Sequence, residues 1–479
     1  MVRSQSRPET PPAEGAATPA AAPKEEAAEE AAKTRELGAR AVRLAGFFQG
    51  KIETVPTVPV RSLRDFDLWY TPGIAAVSRE IHASPERAFD LTGRWNTIGI
   101  VTDGSRVLGL GDIGPEAALP VMEGKALLFK YLGGVDAIPL PVRVDSARAL
   151  VETVLRLAPA FGAINLEDIA SPKCFRVLEE LQEKLPIPVW HDDQLGTAAA
   201  TVAGLLNALE LTGRQMATIR TVLLGAGAAN LVTARLLVSL GHDPQRLSLV
   251  DTRGILEADR EDMDALALHN PWKYRLALQT DGGGRRGGAT EALRDADVLL
   301  AASTPDPDTV HPAWIRSMRP DPIVFALANP TPEIWPARAH DAGAAVVATG
   351  RGDFPNQVNN SLIFPAVFRG VLDARARRIP DALVLAAAHE LARRTRERGL
   401  SRTHILPTME EREVFPFVAA AVATRAVELG LARTRRSPEE FLAEARARMA
   451  RPPALAAALA DAGMIRSMPD EPPLPPDDP

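Results

Sequence analysis

Two acidic pairs, Glu167-Asp168 and Asp192-Asp193, carry the strongest chemical signal in this 479-residue chain. Each follows an apolar run, AINL and IPVWH, so each sits where a parallel strand would end, the place at which open α/β sheets put ligands. Mg2+ and Mn2+ prefer carboxylate, carbonyl and water oxygens in an octahedron, and three carboxylates leave positions open for a bidentate substrate. Glu167, Asp168 and Asp193 meet that demand, and a cation would relieve the cost of like charges in apolar surroundings. The competing reading is that the acids cap helices starting near Ser171 and Gln194, which for Asp192 alone is an equally good account. His191 adjoins the second pair but, among oxygen donors, reads as a buried neighbour and not a ligand.

A second signal follows. The strand-like TVLLG leads into Gly225-Ala226-Gly227-Ala228-Ala229, and a helical pattern begins there. Gly225 permits the tight turn, Gly227 lets the backbone approach a pyrophosphate, and the amides at Ala228 and Ala229 open the helix toward the phosphates. The next strand ends in Asp251, near the roughly 20-residue spacing of a ribose-binding acid. Asp251 would accept from a 2′-hydroxyl and repel a 2′-phosphate, favouring NAD, although Arg253 could reverse that and admit NADP. Asn230 stands at the third glycine position and is expected to loosen helix–strand packing. The bland alternative is a βα turn without ligand.

The elements that must position these groups form two series. Strand-like runs TIGIV, DAIPLPV, AINL and IPVWH alternate with helical patterns around Glu116 to Tyr131, Asp145 to Leu157 and Ser171 to Lys184. An Ala-rich helix from Thr197 to Leu211 leads to a second series, TVLLG, LSLVD, DVLLA, PIVFALA and AAVVATG. The expected fold class is α/β with two domains: a disordered tail at 1–34, a substrate and metal domain at 35–212, and a Rossmann-like doubly wound dinucleotide-binding domain with a helical extension at 213–431. A further helical extension and an acidic, Pro-rich tail at 432–479 complete it. A short amphipathic helix is expected around Leu37 to Phe48, and Pro72-Gly73 marks a turn that places Tyr70 on a loop.

Composition narrows the partners. A net charge of -6 offers no basic surface for nucleic acid, and no apolar stretch approaches the roughly 18 residues needed to span a bilayer. The single cysteine, Cys174, cannot form an intrachain disulfide, which fits a reducing cytoplasm. The expectation is a cytoplasmic protein that acts on a small molecule and has no nucleic-acid or membrane partner.

Taken together, Tyr70-Thr71-Pro72-Gly73, the stretch VLGLGDIGPEAALPVMEGKALLFK from Val107 to Lys130, INLEDI, HDDQ, GAGAA, ALANPTPEI and FPNQVNN resemble the malic enzyme family, shorter bacterial type, from Lys51 to Leu431. The resemblance implies oxidative decarboxylation of L-malate to pyruvate and carbon dioxide, with NAD or NADP, Mg2+ or Mn2+, and a homodimer or larger homo-oligomer. It assigns metal ligation to Glu167, Asp168 and Asp193, and acid–base work to Tyr70 and Lys125, with Asp192 tuning Lys125. Asn329 and Asn360 would hold the substrate carboxylates, Asn329 also bordering the cofactor, and Arg106 matches a substrate-binding arginine of larger members. A lysine near a metal and other cations would have its pKa lowered toward that of a base. Taken singly, Tyr70 reads as turn packing, Lys125 as a solvated helix face, and the two asparagines as turn residues. Leu195 and Gly352 depart from the family pattern, Leu195 removing a hydrogen-bond donor expected near the metal. Two other activities compete: malolactic decarboxylation to lactate with bound NAD, and a dinucleotide-binding regulatory protein without turnover.

Overall fold

The computed structural model describes residues 22–107, 109–280 and 283–469; the expected terminal tails fall partly outside them, at 1–21 and 470–479. One compact unit comprises the chain to Gln49 and from Ser467, and its described part holds a single helix, Ala22–Phe48. That helix starts well before the expected Leu37, inside the segment read as a disordered tail. The reason is composition: Ala, Glu, Lys and Arg are strong helix formers.

The other unit, Gly50–Arg466, contains two parallel-stranded sheets. The first runs β2 (Asp136–Pro141), β1 (Thr97–Thr102), β3 (Ala163–Leu166), β4 (Val189–His191), all parallel. The second runs β10 (Val346–Thr349), β9 (Ile323–Ala326), β8 (Val298–Ala301), β5 (Thr221–Leu224), β6 (Leu247–Asp251), β7 (Gly254–Ile255). Only the two-residue β7, which no sequence signal marked, is antiparallel. This is the order of a doubly wound dinucleotide fold, and its switch point lies between β5 and β8. The expected α/β class with a Rossmann-like half is what the chain adopts. β3, β5, β8, β9 and β10 are buried at every residue, which is why they read as unbroken apolar runs.

The Ala-rich helix Thr197–Leu211 is buried along most of its length and packs on helix Asp381–Arg398. Asn207 ties that packing, its Nδ2 donating to Ala392 O at 3.1 Å and Ile405 O at 2.8 Å. Helix Phe364–Asp373 returns to helix Gly114–Gly133, with Phe129 packed 4.5 Å from the Phe364 ring and 5.0 Å from Phe368. No helix among the described residues is long and apolar enough to cross a membrane.

Candidate active site

Strand register brings the acidic pairs together. Leu166 and His191, the last residues of β3 and β4, are paired partners, so Glu167 and Asp192 leave adjacent strands side by side. Asp168 takes a left-handed backbone (φ 53°), tolerable for Asp, and its N–H donates to Asp193 Oδ2 at 2.9 Å. Arg106 N–H donates to Asp168 O at 3.0 Å and fixes the same turn from the loop after β1. Carboxylate oxygens of Glu167, Asp168 and Asp193 all lie within 4.8 Å of one another. The helix-capping alternative fails: neither helix Lys173–Lys184 nor the turn Asp192–Gly196 has a side-chain cap. That turn is a π-type turn running into helix Thr197–Leu211, a feature often found at functional sites.

Lys125, on helix Gly114–Gly133, reaches under this cluster. Its Nζ lies 2.6 Å from Glu167 Oε1, contacts Asp192 Oδ2, and sits 4.5 Å above the Phe364 ring. The fully buried Asp192 is held in turn by Trp190, whose Nε1 donates to Oδ1 at 2.9 Å. Asn165 Nδ2 donates to Glu167 Oε2 at 2.9 Å and anchors the other carboxylate. Gly196 makes room: a Cβ there would fall 2.0 Å from Asp192 Oδ1. Burial alone would lower the Lys125 ammonium, but Asp192, Glu167 and Asp193 outweigh it and hold the pKa above its ordinary value. This corrects the expected lowering, because the neighbours are carboxylates and not cations. Burial also pushes the Glu167 carboxyl well up. Four carboxylates against one buried ammonium leave a deficit of positive charge among hard oxygen donors, and a divalent ion fits that deficit.

Across from the acids stands the dinucleotide turn. Gly225 has φ 94°, and a Cβ on it would meet Ala302 O at 2.4 Å, so β5 and the chain after β8 approach closely only at glycine. Gly227 caps helix Ala228–Ser239. Asn230 does not loosen the turn as expected: its buried Nδ2 donates to Leu224 O at 3.0 Å and Gly225 O at 2.8 Å, pinning the loop a third glycine would leave free. Glu333, fully buried, accepts from Ser303 N–H at 2.6 Å and Ala328 N–H at 3.0 Å, joining the loops after β8 and β9.

The two faces enclose a cleft of about 640 Å³. Arg106, Lys125, Glu167, Asp168, Asp193, Gly227, Ala228, Ala229, Asn329 and Asn360 line it. Gly225 and Asp192 support it from behind, and Asp251 is tied into ion pairs outside the lining. Tyr70 is not brought in. It is 69% exposed between the turn Phe66–Trp69 and helix Ile74–Ala83, on a segment that no strand anchors.

An acid cluster and a glycine turn sharing one cleft mirror what sequence comparison finds. A malic enzyme N-terminal domain profile matches residues 49–150, and a malic enzyme NAD-binding domain profile matches residues 195–427. The chain belongs to the malic enzyme family. It is 44% identical over 410 residues to a bifunctional malic/malolactic enzyme of Bacillus subtilis, covering 86% of this chain and 98% of that one. It is 43% identical over 384 residues to an NAD-dependent malic enzyme of Geobacillus stearothermophilus, covering 80% and 78%. The solved malic enzyme of Entamoeba histolytica superposes with a TM-score of 0.89 at 42% identity, covering 91% of each chain.

Within this malic enzyme fold, four supporting residues escaped the reading of the sequence. Asn165, a lone polar residue inside AINL, was a signal that could have been used. Glu333 stood inside ALANPTPEI without a role. Trp190 looked like any core aromatic, and Gly196 like any helix glycine; only three-dimensional proximity to Asp192 reveals them. Leu195 is 2% exposed and belongs to the apolar core, so it withdraws no donor from the cleft.

Proposed function

We propose that the chain catalyses oxidative decarboxylation of L-malate to pyruvate and carbon dioxide with a nicotinamide cofactor, residues 35–212 forming the substrate and metal part and 213–431 the dinucleotide part. The observation that carries this reading is that three carboxylates within 4.8 Å share a cleft with the Gly227–Ala229 turn. Glu167, Asp168 and Asp193 would hold Mg2+ or Mn2+, which supplies Lewis acidity toward a 2-oxo acid and offsets the negative charge facing Lys125. The nicotinamide cofactor, held at the Gly225–Ala229 turn, would supply the hydride acceptor. Once the metal offsets the carboxylates and the Lys125 ammonium has given up its proton to solvent, the neutral Nζ would take the C2 hydroxyl proton. Asp192, fixed by Trp190, positions Lys125 for that transfer. Asn329, Asn360 and Arg106 bind the two carboxylates, and the apolar lining of Val121, Ile169, Leu327 and Val358 limits water. After carbon dioxide leaves, one proton must be returned to C3, balancing the one taken from the hydroxyl.

Tyr70, the residue assigned to that return, does not line the cleft among the described residues. The segment bearing Tyr70 also exposes Val58, Leu63, Phe66, Leu68 and Trp69, an apolar face of the kind a protein surface covers. A homodimer or larger homo-oligomer is therefore part of this reading, with Tyr70 donating the proton in a second copy's cleft. Mixing inactive Tyr70→Phe and Lys125→Met chains should restore turnover if this holds, and restore none if each site is built from one chain.

The main test is initial rates with L-malate, NAD+ or NADP+, with and without Mn2+, quantifying pyruvate and lactate. Mn2+-dependent NADH or NADPH formation that Asp193→Ala abolishes is expected. The relative named as bifunctional motivates measuring lactate, because lactate without net reduction of cofactor would make the malolactic reading the correct one.

A further inference from the structure

Asp251 ends β6, at the position from which the doubly wound fold reads the adenosine ribose. Its carboxylate is already occupied. Oδ1 accepts from Arg253 N–H at 2.8 Å and from Arg260 Nη1 at 3.0 Å, while Oδ2 is paired with Lys273. Arg260 continues the chain of charge, forking onto Asp262 with Nε to Oδ1 at 2.9 Å and Nη2 to Oδ2 at 2.7 Å. The Arg253 guanidinium, largely exposed, stands 3.5 Å from Asp262. Three cations thus meet two carboxylates, and the surplus is positive.

A lone acid at this position rejects a 2′-phosphate by repulsion and by having nothing to donate. Here the acid has both oxygens committed to Lys273 and Arg260, and Arg253, largely exposed and paired with Asp262 at 3.5 Å, presents a guanidinium at the surface of the cluster. We propose that Asp251, Arg260 and Lys273 form a specificity-determining ion cluster that admits an adenosine ribose bearing either a 2′-hydroxyl or a 2′-phosphate. The chain then uses NAD+ and NADP+ with little discrimination. This rests on the reading of the Gly225–Ala229 turn as the pyrophosphate site. Burial pushes the Asp251 carboxyl up, but Lys273, Arg260 and the Arg253 N–H outweigh it and keep the group ionised. Asp251 is therefore a true charge that the cations must balance, and removing either sign should tilt the preference in a defined direction.

The experiment measures kcat/KM for NAD+ and NADP+ at saturating L-malate and Mn2+, and separately the Kd of NADH and NADPH by titration calorimetry without malate. For the unaltered chain the two cofactors should lie within about tenfold. Lys273→Met should raise the NAD+ over NADP+ ratio at least tenfold, Asp251→Asn should lower it at least tenfold, and Lys273→Arg should leave it within threefold. A preference beyond 100-fold in the unaltered chain, or a ratio unmoved by Lys273→Met in a protein that still binds NADH, overturns the proposal. Binding of both dinucleotides with the expected Kd ratios but no malate turnover supports the cluster and refutes the reaction; binding of neither refutes the cofactor site as well.

Discussion

Trp190→Phe isolates the support beneath the proposed base. Trp190 is fully buried, and its indole N–H is the donor to Asp192 Oδ1 at 2.9 Å. Phenylalanine keeps the apolar contact with Phe368, 6.4 Å away, but leaves a buried carboxylate oxygen one donor short. A lost hydrogen bond to a charged group costs about 1.5–3 kcal/mol. The smaller ring adds about 1–2 kcal/mol of unfilled space. The expected loss is about 2.5–5 kcal/mol, measured by urea unfolding of chelator-treated protein. Because Asp192 holds Lys125, its loosening should also lower kcat by about 10–100-fold, the size of effect that a displacement of about 1 Å produces. A double-mutant cycle with Asp192→Asn should return a coupling of about 1–2 kcal/mol, since the two substitutions remove the same contact. Destabilisation below about 1 kcal/mol with kcat unchanged would refute the claim that Trp190 sets the position of Asp192.

Gly196→Ala places a Cβ 2.0 Å from Asp192 Oδ1 and 3.0 Å from Asn360 Cβ, so it should cut turnover at least tenfold while NADH binding, measured by calorimetry, changes little. Asn230→Gly restores the usual third glycine but removes two donors to Leu224 O and Gly225 O; the expected result is a loss of about 1–2 kcal/mol in thermal unfolding and weaker NADH binding. Tighter binding would show that the pinned turn hinders the cofactor. His242 is buried between Asp243 O and the Thr221 hydroxyl: Nδ1–H donates to the carbonyl, so Nε2 accepts, and the neutral ring is satisfied. Burial lowers its pKa, so below the unfolded value the unfolded chain binds a proton that the native ring resists. Stability should therefore fall as pH drops through and below about 6.5, and the His242→Gln chain should lack that increment in urea unfolding between pH 7.5 and 5.

The strands of both sheets were legible because buried parallel strands leave unbroken apolar runs, and AINL, TVLLG and DVLLA became β3, β5 and β8 at nearly the expected bounds. The acids were legible for a related reason. Ligands gather at strand carboxyl ends, so Glu167 and Asp193 could be placed near one site from the runs before them. β7 and the early start of the first helix were not, one because two residues carry no periodicity, the other because a stretch poor in aliphatic residues read as a tail although its Ala, Glu and Lys favour helix.

What the order of residues determined by itself was therefore local: which segments are strands, where they stop, and which side chains stand at their ends. Only the folded chain decided that Lys125 is caged by carboxylates from residues 42 and 67 positions away, that Asn230 pins the glycine turn, and that Asp251 spends its charge on Lys273 and Arg260. It also decided that Tyr70 faces outward. A pKa, a satisfied carboxylate or a side chain's reach depends on what packs within a few ångströms, and that neighbourhood is assembled from distant parts of the chain.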